Sequence, residues 1–136
     1  MGSGNRECRE CGLWATAQTI CMAAHSPDAP LFAVIGEAPG EHEDEAGEPF
    51  VGAAGQLLWR ELEQHGLYRR HAFVTNVVKC RPPENRTPKQ SEVKACKPYL
   101  DAELRYLKSE TKVKYILALG PVAYKALGGK DRGSDV

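Results

Sequence analysis

A three-layer α/β/α domain with a short parallel sheet is the fold this sequence predicts, on three observations. Three short apolar runs have the length and composition of buried strands. Patterns of helical periodicity separate them, so the strands must run parallel and be joined by crossovers. The 136 residues suffice for one core and not for two, so the expectation is a single domain over residues 1–136.

The elements follow in order. Leu31 to Ile35, bounded by Pro30 and Gly36, is a continuous apolar run of the kind buried on both faces of a sheet. Ala53 to His65 places Ala54, Leu57, Leu58 and Leu62 on one helical stripe, with Gly66 as the stop. His71 to Val78 supplies a second strand. Thr87-Pro88-Lys89-Gln90 then offers a capping hydroxyl, a proline at the first helical position and a glutamine three residues after the cap. Pro98 interrupts the pattern that follows, so one helix should end near Cys96 and another run from about Pro98 to Leu107. Lys112 to Leu119, closed by Gly120-Pro121, is the third strand, and a short helix should span Pro121 to Leu127. Residues 128–136 read as a tail, and Met1 to Gly4 has the composition of a cloning scar. In such a domain ligands bind beyond the carboxyl ends of the strands, which directs attention to the loops after Ile35 and Val78.

Eighteen basic and eighteen acidic residues cancel, which excludes the strong positive field of a protein that binds nucleic acid through net charge. Any DNA contact must use a local patch. No apolar run approaches the ~20 residues of a membrane span, and the start lacks the apolar stretch of a signal peptide, so a soluble, cytoplasmic protein with no membrane partner is expected. Five cysteines in a reducing compartment point to metal ligation before disulfides. Cys8-x-x-Cys11, Cys80 and Cys96 form a four-thiol set, and Cys21 is left over. Four thiolates serve zinc or an iron-sulfur cluster, and their spacing does not separate the two.

Five features carry candidate chemistry. In Gly36-Glu37-Ala38-Pro39-Gly40, the glycines let backbone N–H groups approach a ligand, although a plain turn accounts for them equally. Glu41, Glu43, Asp44, Glu45 and Glu48 crowd the next segment, where one acid could be poised as a base, and a solvated acidic loop is the plainer reading. Phe50 stands in a turn before a helix, where it can stack on a base or simply pack. Asn76, at the end of the second strand between apolar neighbours, can read a base edge or make a structural hydrogen bond. Lys79, Arg81, Arg86 and Lys89 form the one concentrated basic stretch near these residues, suited to phosphate contacts or to solvation.

Taken together, these segments resemble the family 4 uracil-DNA glycosylases, the iron-sulfur branch of the uracil-DNA glycosylase superfamily. The resemblance runs from Cys8 to about Leu127. It rests on the order and spacing of Gly36-Glu37-Ala38-Pro39-Gly40, Glu43-Asp44, Pro49-Phe50-Val51-Gly52, Ala54-Gly55-x-Leu57-Leu58 and Thr75-Asn76-Val77-Val78-Lys79-Cys80-Arg81-Pro82-Pro83. It implies removal of uracil from DNA by base flipping and hydrolysis of the N-glycosidic bond, with uracil-containing DNA, single- or double-stranded, as partner. It further implies that Cys8, Cys11, Cys80 and Cys96 hold a structural [4Fe-4S] cluster, zinc remaining the alternative from chemistry alone. Phe50 would stack on the flipped uracil and Asn76 bond its edge. Glu43 would position the attacking water, and Gly36, Glu37, Ala38, Pro39 and Gly40 would line the pocket.

The family also has a later His-Pro motif, and nothing after Leu127 matches it: His25, His42, His65 and His71 all lack a following proline. The expectation is a chain truncated at its C-terminal side, impaired in excision, with an exposed sheet edge open to self-association or a partner chain. The alternatives are a nonenzymatic iron-sulfur nucleic-acid-binding module and a small zinc-stabilised α/β domain.

Overall fold

The computed structural model describes residues 11–25 and 29–129. Its elements are strand β1 (Ala24–His25), β2 (Phe32–Gly36), helix α1 (Glu41–Ala46), α2 (Ala53–Glu63), β3 (Ala72–Asn76), α3 (Gln90–Glu110), β4 (Ile116–Ala118) and α4 (Pro121–Ala126). The sheet order is β1-β3-β2-β4. Strands β2, β3 and β4 are parallel, as the separating helices require, and β1 adds an antiparallel edge that the sequence did not signal.

Both faces of the sheet are covered, which explains why β2 and β3 are buried at every position. Phe32, Val34, Ala72 and Val74 point to one side and pack with Trp59 of α2. Ala33 and Phe73 point to the other and meet Leu107 of α3, while Ile35 joins Leu100 of α3 and Ala123 of α4 in a further cluster. Strict alternation thus splits one apolar run between two layers of helix, giving the expected three-layer α/β/α architecture. No helix among the described residues is long and apolar enough to cross a membrane.

Several local expectations are corrected. The acidic stretch after Gly40 is not a loop but helix α1, whose acids at its first turn suit the positive end of the helix. The inward stripe of helix α2 is only partly the expected one: Leu58 and Leu62 pack against the core beside buried Gly55 and Trp59, whereas Ala54 is exposed and Leu57 is 55 % exposed. Pro98 does not divide α3, which runs unbroken for 21 residues. The proline lies on the solvent side, and Cys96, Leu100 and Leu107 bury the opposite face on both sides of it, so packing outweighs the lost hydrogen bond. Thr87 is not the cap of α3. Lys89 takes that place, its N–H donating to Glu92 Oε1 at 2.8 Å, and Glu92 is in turn gripped by both terminal nitrogens of Arg86. The third strand is shorter than Lys112 to Leu119 and lies at the sheet edge, with Ile116 and Leu117 partly exposed.

The topology creates a crevice. Chain leaving β2 crosses to β3 on one side, and chain leaving β3 crosses back to β4 on the other, so the loops at the carboxyl ends part around β2. Gly36 and Asn76, the last residues of β2 and β3, are direct register partners there.

Candidate active site

At that crevice lies a pocket of about 300 Å³ lined by Gly36 to Gly40, Glu43, Phe50, Ala54, Gly55, Asn76, Pro82, Asn85, Arg86 and Leu119. Glu43, Phe50, Asn76 and Gly36 to Gly40 are all on its wall, whereas Glu41, Asp44, Glu45 and Glu48 are not among its lining residues. Gly36 is where Phe50 and Asn76 meet: a Cβ there would overlap the Phe50 ring and stand 2.7 Å from Asn76 Oδ1. Only glycine lets the aromatic face and the amide come together.

The Phe50 turn is held against its own preference. Phe50 has φ 57°, in the left-handed region. Its carbonyl accepts Trp59 Nε1 at 3.1 Å and Arg69 Nη1 at 3.0 Å, and the Pro49 carbonyl accepts Arg69 Nη2 at 2.9 Å. Arg69 also stacks over the Trp59 ring at 5.1 Å. Gly55 lets α2 reach the turn, since a Cβ on it would overlap the Phe50 carbonyl group. Arg69 and Trp59 went unnoticed in the sequence, because nothing local marks their partners.

Glu43 closes the turn from the other side. Its Oε1 accepts Gly40 N–H at 3.0 Å, and its Oε2 accepts Val51 N–H at 3.0 Å and Gly52 N–H at 2.7 Å. Burial alone would raise its pKa, but the N–H groups of Gly52, Gly40 and Val51 more than offset this and hold the carboxyl below its ordinary value. The group is therefore an ionised carboxylate, with three of about four acceptor positions filled.

The basic stretch splits into different roles. Lys79, expected as a phosphate contact, is instead buried at 1 % exposure and bonded to Glu103 at 2.7 Å. Arg81 donates Nε to Asn85 Oδ1 at 2.7 Å, which helps hold Glu84 and Asn85 at φ 56° and 58° beside the pocket. Arg86 stands on the pocket wall, oriented by Glu92. Asp44, one of the acids the sequence offered as a base or as part of a solvated loop, is instead buried and takes the N–H groups of Gln18 and Thr19 at 2.9 and 3.0 Å. Thr19 Oγ1 donates back to the Asp44 carbonyl at 2.7 Å, and Cys21 lies 3.2 Å from the Glu43 carbonyl. The segment that follows Cys11 is thus fastened to the helix that carries Glu43.

Cys11, Cys80 and Cys96 pack into one apolar cluster with Leu13, Val77, Val78 and Leu100. Cys8 lies outside the described residues. Among the described residues no three metal-capable side chains close into a group that would hold an ion. In donor chemistry the set fits a thiolate-ligated cluster: three cysteines share one apolar corner, and the fourth is three residues from Cys11.

Comparison with known proteins gives the site its context. Residues 24–134 match the family model of the uracil DNA glycosylase superfamily. A type-4 uracil-DNA glycosylase of Pyrobaculum aerophilum is 56% identical over 69% of this chain and 46% of its own length. One from Sulfurisphaera tokodaii is 48% identical over 71% of this chain and 44% of its own. One from Thermotoga maritima is 38% identical over 87% and 59%. A type-5 uracil-DNA glycosylase of Mycobacterium leprae is 33% identical over 72% and 48%. The chain spans about half the length of the curated relatives it matches.

Proposed function

Since the chain belongs to the uracil DNA glycosylase superfamily, we propose that it is a type-4 uracil-DNA glycosylase domain that takes a flipped uracil into the crevice beyond β2 and β3. The observation that carries this reading is the meeting of the Phe50 ring and the Asn76 amide at Gly36, on the wall of one pocket with Glu43. An aromatic face gives stacking, and an amide offers both the donor and the acceptor that a uracil edge requires. Higher identity to the type-4 than to the type-5 relatives favours the former class.

In the reaction, the target nucleotide leaves the stack and its base slides against Phe50. Asn76 bonds the base edge, discriminating uracil from bases with a different donor and acceptor pattern. The C1′–N1 bond then breaks toward an oxocarbenium-like sugar while negative charge gathers on the departing base. Among the backbone N–H groups of the Gly36 to Gly40 loop, those of Glu37 and Ala38 are candidates to receive that charge, since Pro39 has none and the Gly40 N–H is bonded to Glu43. Glu43, ionised and pinned, stabilises the cationic sugar and has one acceptor position left to orient water. Arg86, at the pocket wall, is suited to a flanking phosphate. Cys8, Cys11, Cys80 and Cys96 would hold a [4Fe-4S] cluster, which supplies structural cross-linking far from any bond that breaks. Zinc in the same thiols is the competing assignment. The reading as a nonenzymatic nucleic-acid-binding module is not favoured, because the relatives bear glycosylase names. A cytoplasmic location accords with a DNA-repair family. The partly exposed Ile116 and Leu117 of β4 support self-association or a partner strand at that edge.

The test is single-turnover excision from a uracil-containing single strand, with a longer relative in parallel. Asn76→Ala should lower the rate roughly a hundredfold or more while leaving the melting temperature nearly unchanged. A protein that neither excises uracil nor prefers a uracil strand to a thymine strand would sink the proposal.

A further inference from the structure

We propose that Lys79 and Glu103 form a buried positioning device that sets the orientation of Asn76; this deepens the reading of Asn76 as the base-recognising residue and rests on it. Lys79 follows the strand that ends at Asn76, and Glu103 comes from the middle of α3. The two side chains are 2 % and 0 % exposed. Lys79 Nζ donates to Thr75 Oγ1 at 2.6 Å, to the Asn76 carbonyl at 2.6 Å and to Glu103 Oε1 at 2.7 Å. Thr75 Oγ1 donates to the two Glu103 oxygens at 3.1 and 3.0 Å, so it can only accept from Lys79. All three partners of Nζ are acceptors, and the ammonium's three protons are all used.

The alternation of the strand gives this arrangement its direction. Thr75 faces α3 and the charged pair, whereas Asn76 sends its amide to the opposite face, toward Gly36 and Phe50. Lys79 therefore grips the backbone of Asn76 from behind while leaving the amide free for the pocket. Stability does not account for the pair, since buried ion pairs can commonly be replaced by apolar residues of similar volume at no loss. An ammonium fixed by Thr75 and Glu103 and donating its third proton to the Asn76 carbonyl does account for it. A displacement of about 1 Å at a group that must meet the substrate costs on the order of a hundredfold in rate.

The variant Lys79→Met/Glu103→Leu keeps volume and removes both charges. Expected are a folded protein with a lower melting temperature, since the buried Thr75 hydroxyl and Asn76 carbonyl lose partners, and single-turnover excision of uracil lowered about a hundredfold, comparable with Asn76→Ala. Adding Asn76→Ala to the double variant should cost little more, because both changes disable one device. A folded double variant that keeps the full rate and the preference for uracil over thymine overturns the proposal. If the unchanged protein neither binds nor excises uracil, it is the proposed function that fails, and ¹⁵N relaxation of the Asn76 side-chain amide decides the positioning role. Order in the unchanged protein that is lost in the double variant supports it, and equal order in both overturns it. Should the double variant not fold, the unchanged protein supplies the answer: a scalar coupling across the hydrogen bond from Lys79 ¹⁵Nζ to the Asn76 ¹³C carbonyl is expected, and its absence overturns the proposal.

Discussion

Phe50 occupies a backbone conformation that costs a bulky residue on the order of 1–3 kcal/mol. The bonds from Trp59, Arg69 and the neighbouring N–H groups to Glu43 offset that cost, so the turn is stable only as a set. Gly55→Ala should break the set by forcing a methyl into the Phe50 carbonyl group, with a loss of about 1–3 kcal/mol in urea denaturation and weaker binding of a uracil strand. Glu43→Gln should cost about 1 kcal/mol, a solvent-screened fraction of the charge-assisted bonds it loses. Because the folded pKa of Glu43 is lowered, its contribution is full above the ordinary value of 4.5 and is lost as pH falls through the folded value. Melting curves of the two proteins should therefore differ at neutral pH and converge in acid; a constant gap would contradict this. The glycine loop, Phe50 and Asn76 were legible in the sequence because turn chemistry and strand ends are local. Lys79, Asp44 and Arg69 were not, since each is defined by a partner far along the chain.

Helices α1 and α3 show where periodicity loses its authority. Helix α1 is polar nearly all round and six residues long, so no apolar stripe announced it; its stability comes from Asp44 and Glu43 bonding outside the helix. In α3, Pro98 carried a strong local signal that tertiary packing overrode. Pro98→Ala should restore the backbone donor missing from the helix and stabilise the protein by up to about 3 kcal/mol. Thermal denaturation checks this, and an unchanged or lower midpoint would mean that the proline is accommodated without strain. The strands were legible as apolar runs, but two-residue β1 and the shortening of β4 depend on pairing that no single segment encodes.

At the scale of the molecule, one corner built from Cys11, Cys80 and Cys96 brings the N-terminal segment, the end of β3's following loop and α3 together. Cys80→Ala or Cys96→Ala should abolish visible charge-transfer absorbance in protein purified without oxygen and lower the melting temperature, because metal affinity is partly folding free energy. Cys21→Ala should keep the iron content, although its burial at 2 % exposure implies a small loss of stability. Stoichiometric zinc in a colourless folded protein would overturn the iron-sulfur assignment. The central place of β2 has a consequence for synthesis. Ala33 to Ile35 pair with β3 on one side and, on the other, with Ile116 to Ala118 of β4, far along the sequence. As the polypeptide leaves the ribosome, β2 must wait until residues 116–118 have been made before its second neighbour exists. Contacts of such long sequence separation slow folding, and the open strand meanwhile is a point where nascent chains can stick to one another.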